Sequence, residues 1–137
     1  MRKGILLLGG SGTRFGPVTN VINKHFIPIM NRPMFFYSLS FIMISNIRSI
    51  NMIINQKSIK DIKKLIGDGS YLGLKIRYTI QKKPIGITDG INLSKKFIGK
   101  SNFALMLGDN FFYSDNLPKI FTNISNKNEN TVISYRV

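Results

Sequence analysis

The chain has 137 residues, enough for one domain with a core of its own, and 43% of them are apolar. It has no cysteine, which rules out disulfides and thiolate metal sites. The net charge of +14 invites a nucleic-acid reading, but the lysines are dispersed and no helix-turn-helix, zinc-finger or RNP-like pattern accompanies them, so no nucleic-acid partner is expected.

Taken in chain order, the first element is a strand over Lys3–Leu8. The Arg2-Lys3 start is followed by an apolar run too short for a signal peptide. The strand runs into Gly9-Gly10-Ser11-Gly12-Thr13-Arg14. Glycines there let backbone approach a ligand, free N–H groups can face phosphate oxygens, and Arg14 can grip phosphate with two parallel hydrogen bonds. A nucleotide-phosphate loop is therefore predicted. It is not a dinucleotide fingerprint, because Phe15 stands where the third glycine belongs. That fingerprint also needs an acidic residue about 20 positions on, and none precedes Asp61. Nor is there a Gly-Lys-Ser/Thr tripeptide for a P-loop.

Pro33 to Asn46 predicts a helix with proline in its first turn. Its Met34–Ile44 stretch carries Tyr37, Ser38 and Ser40 and is about half a membrane span, so it reads as a buried helix, and a cytoplasmic protein is expected. Met34, Phe35, Phe36, Phe41 and Met43 belong to its core face. Ser49–Ile54 is a second strand. Ser58–Ile66 is a helix in which Ser58 and Asp61 make a capping box and Ile59, Ile62 and Ile66 share a face. Asp68, in Gly67-Asp68-Gly69, is a turn residue. Lys75–Ile80 is the third strand, and Gly86–Phe97 a helix with Ile87, Ile91 and Ile98 near one side. Phe103–Leu107 is the fourth strand, Leu117–Asn126 a helix, and Thr131–Val137 begins a fifth strand.

This alternation predicts an α/β fold, a parallel, doubly wound sheet with helices on both faces, over residues 1–137 with no internal boundary. Ligands of such sheets bind beyond the carboxyl ends of the strands. The Gly9–Arg14 loop, Gln81 and Gly108-Asp109-Asn110 all fall there. The chain stops inside an apolar stretch at Val137, so truncation is expected.

On these residues the chain resembles the glucose-1-phosphate thymidylyltransferases of the sugar-nucleotide pyrophosphorylase family. The resemblance is carried by Gly9-Gly10-Ser11-Gly12-Thr13-Arg14, Lys24 followed by Pro28, Arg32-Pro33-Met34, Leu65-Ile66-Gly67-Asp68-Gly69-Ser70, Leu107-Gly108-Asp109-Asn110 and Leu117-Pro118-Lys119. These segments correspond to about the amino-terminal half of a family member. The resemblance implies a three-layer α/β/α, Rossmann-like, mostly parallel sheet of the nucleotidyltransferase type.

It further implies Mg²⁺-dependent transfer of a thymidylyl group from dTTP to glucose 1-phosphate, giving dTDP-glucose and pyrophosphate for deoxysugar synthesis of the dTDP-rhamnose type. Carried over position by position, Arg14 would hold the triphosphate and the Gly9–Thr13 backbone would cradle it. Lys24 would neutralise charge between the sugar phosphate and the α-phosphate, and Leu107 would adjoin the sugar phosphate. Asp109 would bind Mg²⁺. Gln81 would read the thymine edge, helped by backbone near Gly86, with Ile87 packed beside the base. The family's homotetramer is implied as the assembly, with no membrane partner.

Several positions depart from the family. Leu8 stands where relatives usually have Ala, where it could crowd the base or point into the core. Gly16 replaces a bulky residue, and His25 stands where Gln is usual and reads as structural. Ile85, Thr88 and Asp89 replace the usual residues around the start of the helix after Gln81. Nucleotide preference therefore stays open. Two alternatives remain beside the thymidylyl reading: a non-catalytic nucleotide-binding remnant, and a related transferase using UTP or CTP. The 137-residue chain by itself is expected to be unstable or inactive.

Overall fold

The computed structural model describes residues 2–10, 16, 22–83, 85–127 and 129–134. Four strands build its main sheet: β1 (Lys3–Leu8), β4 (Ser49–Ile54), β5 (Lys75–Ile80) and β6 (Phe103–Leu107). Their order is β5-β4-β1-β6, and every neighbouring pair is parallel. All four sequence-predicted strands of this sheet are present with the expected bounds. A two-stranded antiparallel ribbon, β2 (Pro28–Ile29) and β3 (Arg32–Pro33), was not expected from the sequence. It turns through Met30, a non-glycine residue at φ 56°.

Side chains alternate across the sheet because successive residues of a strand point to opposite faces. Leu6, Leu8, Ile50, Met52, Ile54 and Met106 join the larger core on one face. There they meet α1 (Met34–Ile44), α2 (Ile59–Ile66) and α5 (Leu117–Asn126), through Phe35, Leu39, Phe41, Ile62, Ile66 and Phe121. α1 is apolar nearly all round, which suits a helix wedged between sheet and α5. Phe41 stacks on Phe121 at 5.2 Å between centroids, and Phe112 closes the group edge-on. On the opposite face Ile5 and Ile53 pack with Ile98, Ile91 and Phe97, from α3 (Ile87–Leu93) and α4 (Lys95–Ile98). Helices thus cover both faces, as expected. Leu8 is fully buried in the larger core, which settles its direction.

Four local expectations are corrected. Pro33 lies in β3 and caps α1 at ψ 140°, outside the first turn. Ser58 makes no side-chain cap on α2; its backbone is already helical, and its hydroxyl accepts from Asn23 Nδ2 at 2.7 Å. The turn before α2 is instead held by Asn55, whose Oδ1 accepts from the Ser58 N–H at 2.9 Å. The predicted Gly86–Phe97 helix is broken into α3 and α4 at Ser94. The Ser94 hydroxyl donates to the Gly90 carbonyl at 2.9 Å, a side-chain bond that competes with the helical ladder. Ile87 is 48% exposed, so it stands apart from the Ile91–Ile98 core face. Finally, Thr131 to Ser134 form no strand and pair with none of the described strands, and residues 135–137 fall outside the described set.

Asp68 is the turn residue expected: its Oδ1 accepts from the Ser70 N–H at 3.0 Å, which holds its carboxyl below the ordinary value. Among the described residues no helix is long and apolar enough to cross a membrane.

Candidate functional site

Parallel register brings the carboxyl ends of all four strands to one rim. Leu8 lies opposite Ile54, Ile54 opposite Ile80, and Leu7 opposite Leu107. The residues that follow are therefore neighbours in space although far apart in sequence. The Gln81 N–H donates to the Ile54 carbonyl at 2.8 Å, and the Gly108 N–H to the Leu7 carbonyl at 2.8 Å. These bonds extend the ladders by one residue and fix Gly9, Gln81 and Gly108 along the rim.

Lys24 reaches this rim from a 3-10 turn, Lys24–Phe26. The turn is organised by Asn23, whose side chain accepts from the His25 N–H at 3.1 Å. Lys24 Nζ donates to Asp109 Oδ2 at 2.5 Å, joining two residues 85 positions apart. Side-chain exposure is 17% for Lys24 and 29% for Asp109, so the pair is sheltered yet open to a ligand. Burial pushes the Asp109 carboxyl up, but the hydrogen bond and charge of Lys24, with a smaller contribution from His25, outweigh it and hold the group below its usual value. The carboxylate is therefore ionised at neutral pH. A Cβ on residue 10 would lie 3.2 Å from Lys24 Cε and 3.4 Å from its Nζ, so the second glycine of the loop sits directly against the lysine.

Gln81 lies on the opposite flank of Gly9 and is 6% exposed. Its Oε1 is 2.2 Å from where a Cβ on residue 9 would stand, so only glycine admits the amide there. Its Nε2 donates to Asp89 Oδ2, in the first turn of α3, at 2.7 Å. Ile85 and Ile87 are exposed, and Gly86 between them takes φ 113° at the start of α3, a backbone geometry that favours glycine.

His25 points inward and is 2% exposed. Among the described residues neither ring nitrogen has a hydrogen-bond partner. Burial, and secondarily the charge of Lys24, push its pKa from 6.5 down to about 4 against the opposing pull of Asp109 and the Gly108 backbone. Its ring fills space beside Gly108, where an added Cβ would meet Leu8 Cδ2 at 2.1 Å and His25 Nδ1 at 3.0 Å. That is a structural placement, as the sequence suggested.

The structure thus gathers Gly9, Gly10, Lys24, Gln81, Leu107 and Asp109 along one rim, while Gly86 and the exposed Ile87 stand at the start of α3, which Asp89 ties to Gln81. Ser11, Gly12, Thr13 and Arg14 lie outside the described residues. Asn23 and Asp89 were not expected in the site. Asn23 adjoins Lys24 in sequence, but only the folded turn reveals that it shapes the lysine's approach.

The main sheet with these rim loops matches the nucleotidyl transferase family over residues 3–137. The chain belongs to that family. This nucleotidyl transferase chain is 38% identical over 136 residues to the glucose-1-phosphate thymidylyltransferase of Neisseria gonorrhoeae, covering 98% of the chain and 47% of that relative. It is 39% identical over 115 residues to the enzyme of the same name from Mycobacterium tuberculosis, covering 84% of the chain and 40% of the relative. Among solved structures, it is similar to a Bacillus anthracis protein described as a glucose-1-phosphate thymidylyltransferase and solved with sucrose. That match has a TM-score of 0.80 at 34% identity over 90% of this chain and 51% of the other. A UDP-glucose pyrophosphorylase complexed with UDP-glucose shares the fold, with a TM-score of 0.74 at 22% identity over 91% of this chain and 52% of the other. The transferase chain spans about half the length of the curated relatives it matches.

Proposed function

We propose that the protein carrying this chain is a glucose-1-phosphate thymidylyltransferase, and that the chain supplies its nucleotide half-site. The observation that carries this reading is the placement of the Lys24–Asp109 pair directly against Gly10, with Gln81 across Gly9 on the same rim. Cation, carboxylate, bare backbone and base-reading amide are the groups a nucleoside triphosphate requires, and a relative of that name matches 98% of the chain.

In the reaction, a phosphate oxygen of glucose 1-phosphate attacks the α-phosphorus of dTTP in line. The bond to the β-phosphate breaks, and its electron pair leaves with pyrophosphate. The protein's work is positioning and stabilisation of the charge that builds on phosphate oxygens. Lys24 supplies a compact point charge between the two phosphates. Arg14, by its place in the loop motif, holds the outgoing pyrophosphate. Leu107 adjoins the sugar phosphate, and the backbone from Gly9 onward cradles the triphosphate, while the missing Cβ atoms of Gly9 and Gly10 leave room for the Gln81 amide and the Lys24 side chain.

Asp109 fits Mg²⁺ by its chemistry: it is an ionised, partly open carboxylate of hard oxygens. Among the described residues no group of three or more His, Cys, Asp or Glu surrounds it, so a cation there would complete its shell with substrate phosphate oxygens and water. When bound, Mg²⁺ neutralises charge on the phosphates. The reading places the protein in the cytoplasm, in nucleotide-sugar synthesis for deoxysugars of the dTDP-rhamnose type, as a homotetramer like its family.

Calorimetric titration of dTTP with Mg²⁺ into the chain, with UTP for comparison, tests this. Saturable binding that prefers dTTP is expected. It should be lost in Arg14→Ala and should lose its Mg²⁺ dependence in Asp109→Asn. Absence of binding by demonstrably folded protein would sink the nucleotide reading for this chain.

A further inference from the structure

Gln81 is a two-faced reader: its amide offers a donor on one side and an acceptor on the other, and rotation by half a turn exchanges them. Left free, such a side chain accepts either kind of base edge and discriminates between neither. Here the choice is removed. The Asp89 carboxylate has only acceptors to offer, so it can pair only with the Gln81 NH₂ group, and it does so at 2.7 Å. Oε1 is then forced to the other side, against Gly9, where the first strand enters the glycine loop. Among the described residues no donor meets that oxygen. A base whose phosphates lie along Gly9 and Gly10 therefore encounters an acceptor at this position.

Resting on the nucleotide reading above, we propose that Asp89 is a positioning residue for base selection. By fixing the Gln81 amide with Oε1 toward the nucleotide, it admits bases that present a ring N–H there, as thymine and uracil do. It disfavours cytosine, whose corresponding ring nitrogen is itself an acceptor. Two facing acceptors leave a desolvated lone pair unmatched, a mismatch that in a buried site outweighs the loss of a single hydrogen bond. The same geometry explains how a position that departs from the family's usual residue is compatible with a pyrimidine-dione substrate: the carboxylate does not touch the base but sets the group that does. The placement of Asp89 is itself fixed. The next residue, Gly90, packs on Leu7 of β1 so closely that a Cβ would lie 2.3 Å from Leu7 Cδ2. Its carbonyl is tied to the buried Ser94 hydroxyl at 2.9 Å.

The test is calorimetry of dTTP and dCTP, each with Mg²⁺, on the full chain and on its Asp89→Asn and Asp89→Ala variants, with thermal melts to show that each is folded. The unaltered chain should favour dTTP. Both variants should weaken dTTP by up to about tenfold, the worth of the one neutral hydrogen bond between the base N–H and Gln81 Oε1, while dCTP holds or tightens, so that the ratio of the two constants collapses. Asparagine is nearly isosteric with aspartate and can present either a donor or an acceptor, so it releases the amide without emptying the site. An unchanged ratio overturns the proposal, as does equal weakening of both nucleotides, which would mark Asp89 as merely structural. Tighter dTTP binding in the variants also overturns it, because Asp89 would then be sequestering Gln81. If the unaltered chain binds dTTP and dCTP equally, this inference fails while the nucleotide reading stands. If it binds neither, the nucleotide reading itself fails.

Discussion

His25 shows how one residue can make acid stability a property of the site. Buried beside Gly108 without a hydrogen-bond partner among the described residues, it is held neutral, with its pKa near 4 in place of 6.5. Between those two values the unfolded chain binds the proton and the folded chain does not. Stability contributed by the neutral ring is therefore present above about pH 6.5 and lost progressively as pH falls toward about 4, by about 3 kcal/mol in all. Denaturant unfolding at stepped pH should show this slope, and His25→Gln should flatten it. Asp109 acts in a lower window: its depressed pKa adds stability above its ordinary 3.8 that disappears as acid reaches the folded value. The two windows separate the residues in one experiment.

At the scale of elements, a buried polar chain ties the second face of the sheet to the helices above it. Thr79 of β5 donates to Asn51 Oδ1 at 2.9 Å, and Asn51 Nδ2 donates to the Ser94 hydroxyl at 3.0 Å. Ser94 donates in turn to the Gly90 carbonyl in α3. Asn51 and Ser94 are both fully buried, so neither can turn to water if the chain is cut. Asn51→Ala should therefore cost about 2–3 kcal/mol in chemical denaturation, more than a surface asparagine by the full desolvation of its orphaned partner. Because the network anchors α3, the substitution should also weaken nucleotide binding without touching ligand. Asn51→Ser, which keeps a hydroxyl on the strand, should recover part of the loss.

For the whole molecule, the excess of positive charge matters more to kinetics than to fold. On the proposed reading the ligand is a polyanion, and a net charge of +14 should raise its rate of encounter with the chain. Raising salt from about 0.02 M to about 0.5 M shrinks the Debye length several-fold and should slow dTTP association while leaving dissociation nearly unchanged. Stopped-flow binding at both salts would show it; an effect confined to the dissociation rate would assign the charge a local role at the site instead.

The sequence by itself determined the strand–helix alternation, the bounds of the four sheet strands and the rim on which Gly9, Gln81 and Asp109 fall. Apolar periodicity and glycine placement are local signals, and each segment announces its own type. Tertiary structure alone decided who meets whom. Nothing in the spacing of Lys24 and Asp109 foretells their ion pair, since it depends on a ladder bond from Gly108 and a turn capped by Asn23. The capping role expected of Ser58 passed to Asn55 because Ser58 found a partner in Asn23. The break at Ser94 and the Gln81–Asp89 pair escaped for the same reason. A polar side chain selects its partner only after packing has removed water, and that competition is settled by distant residues that no local window contains.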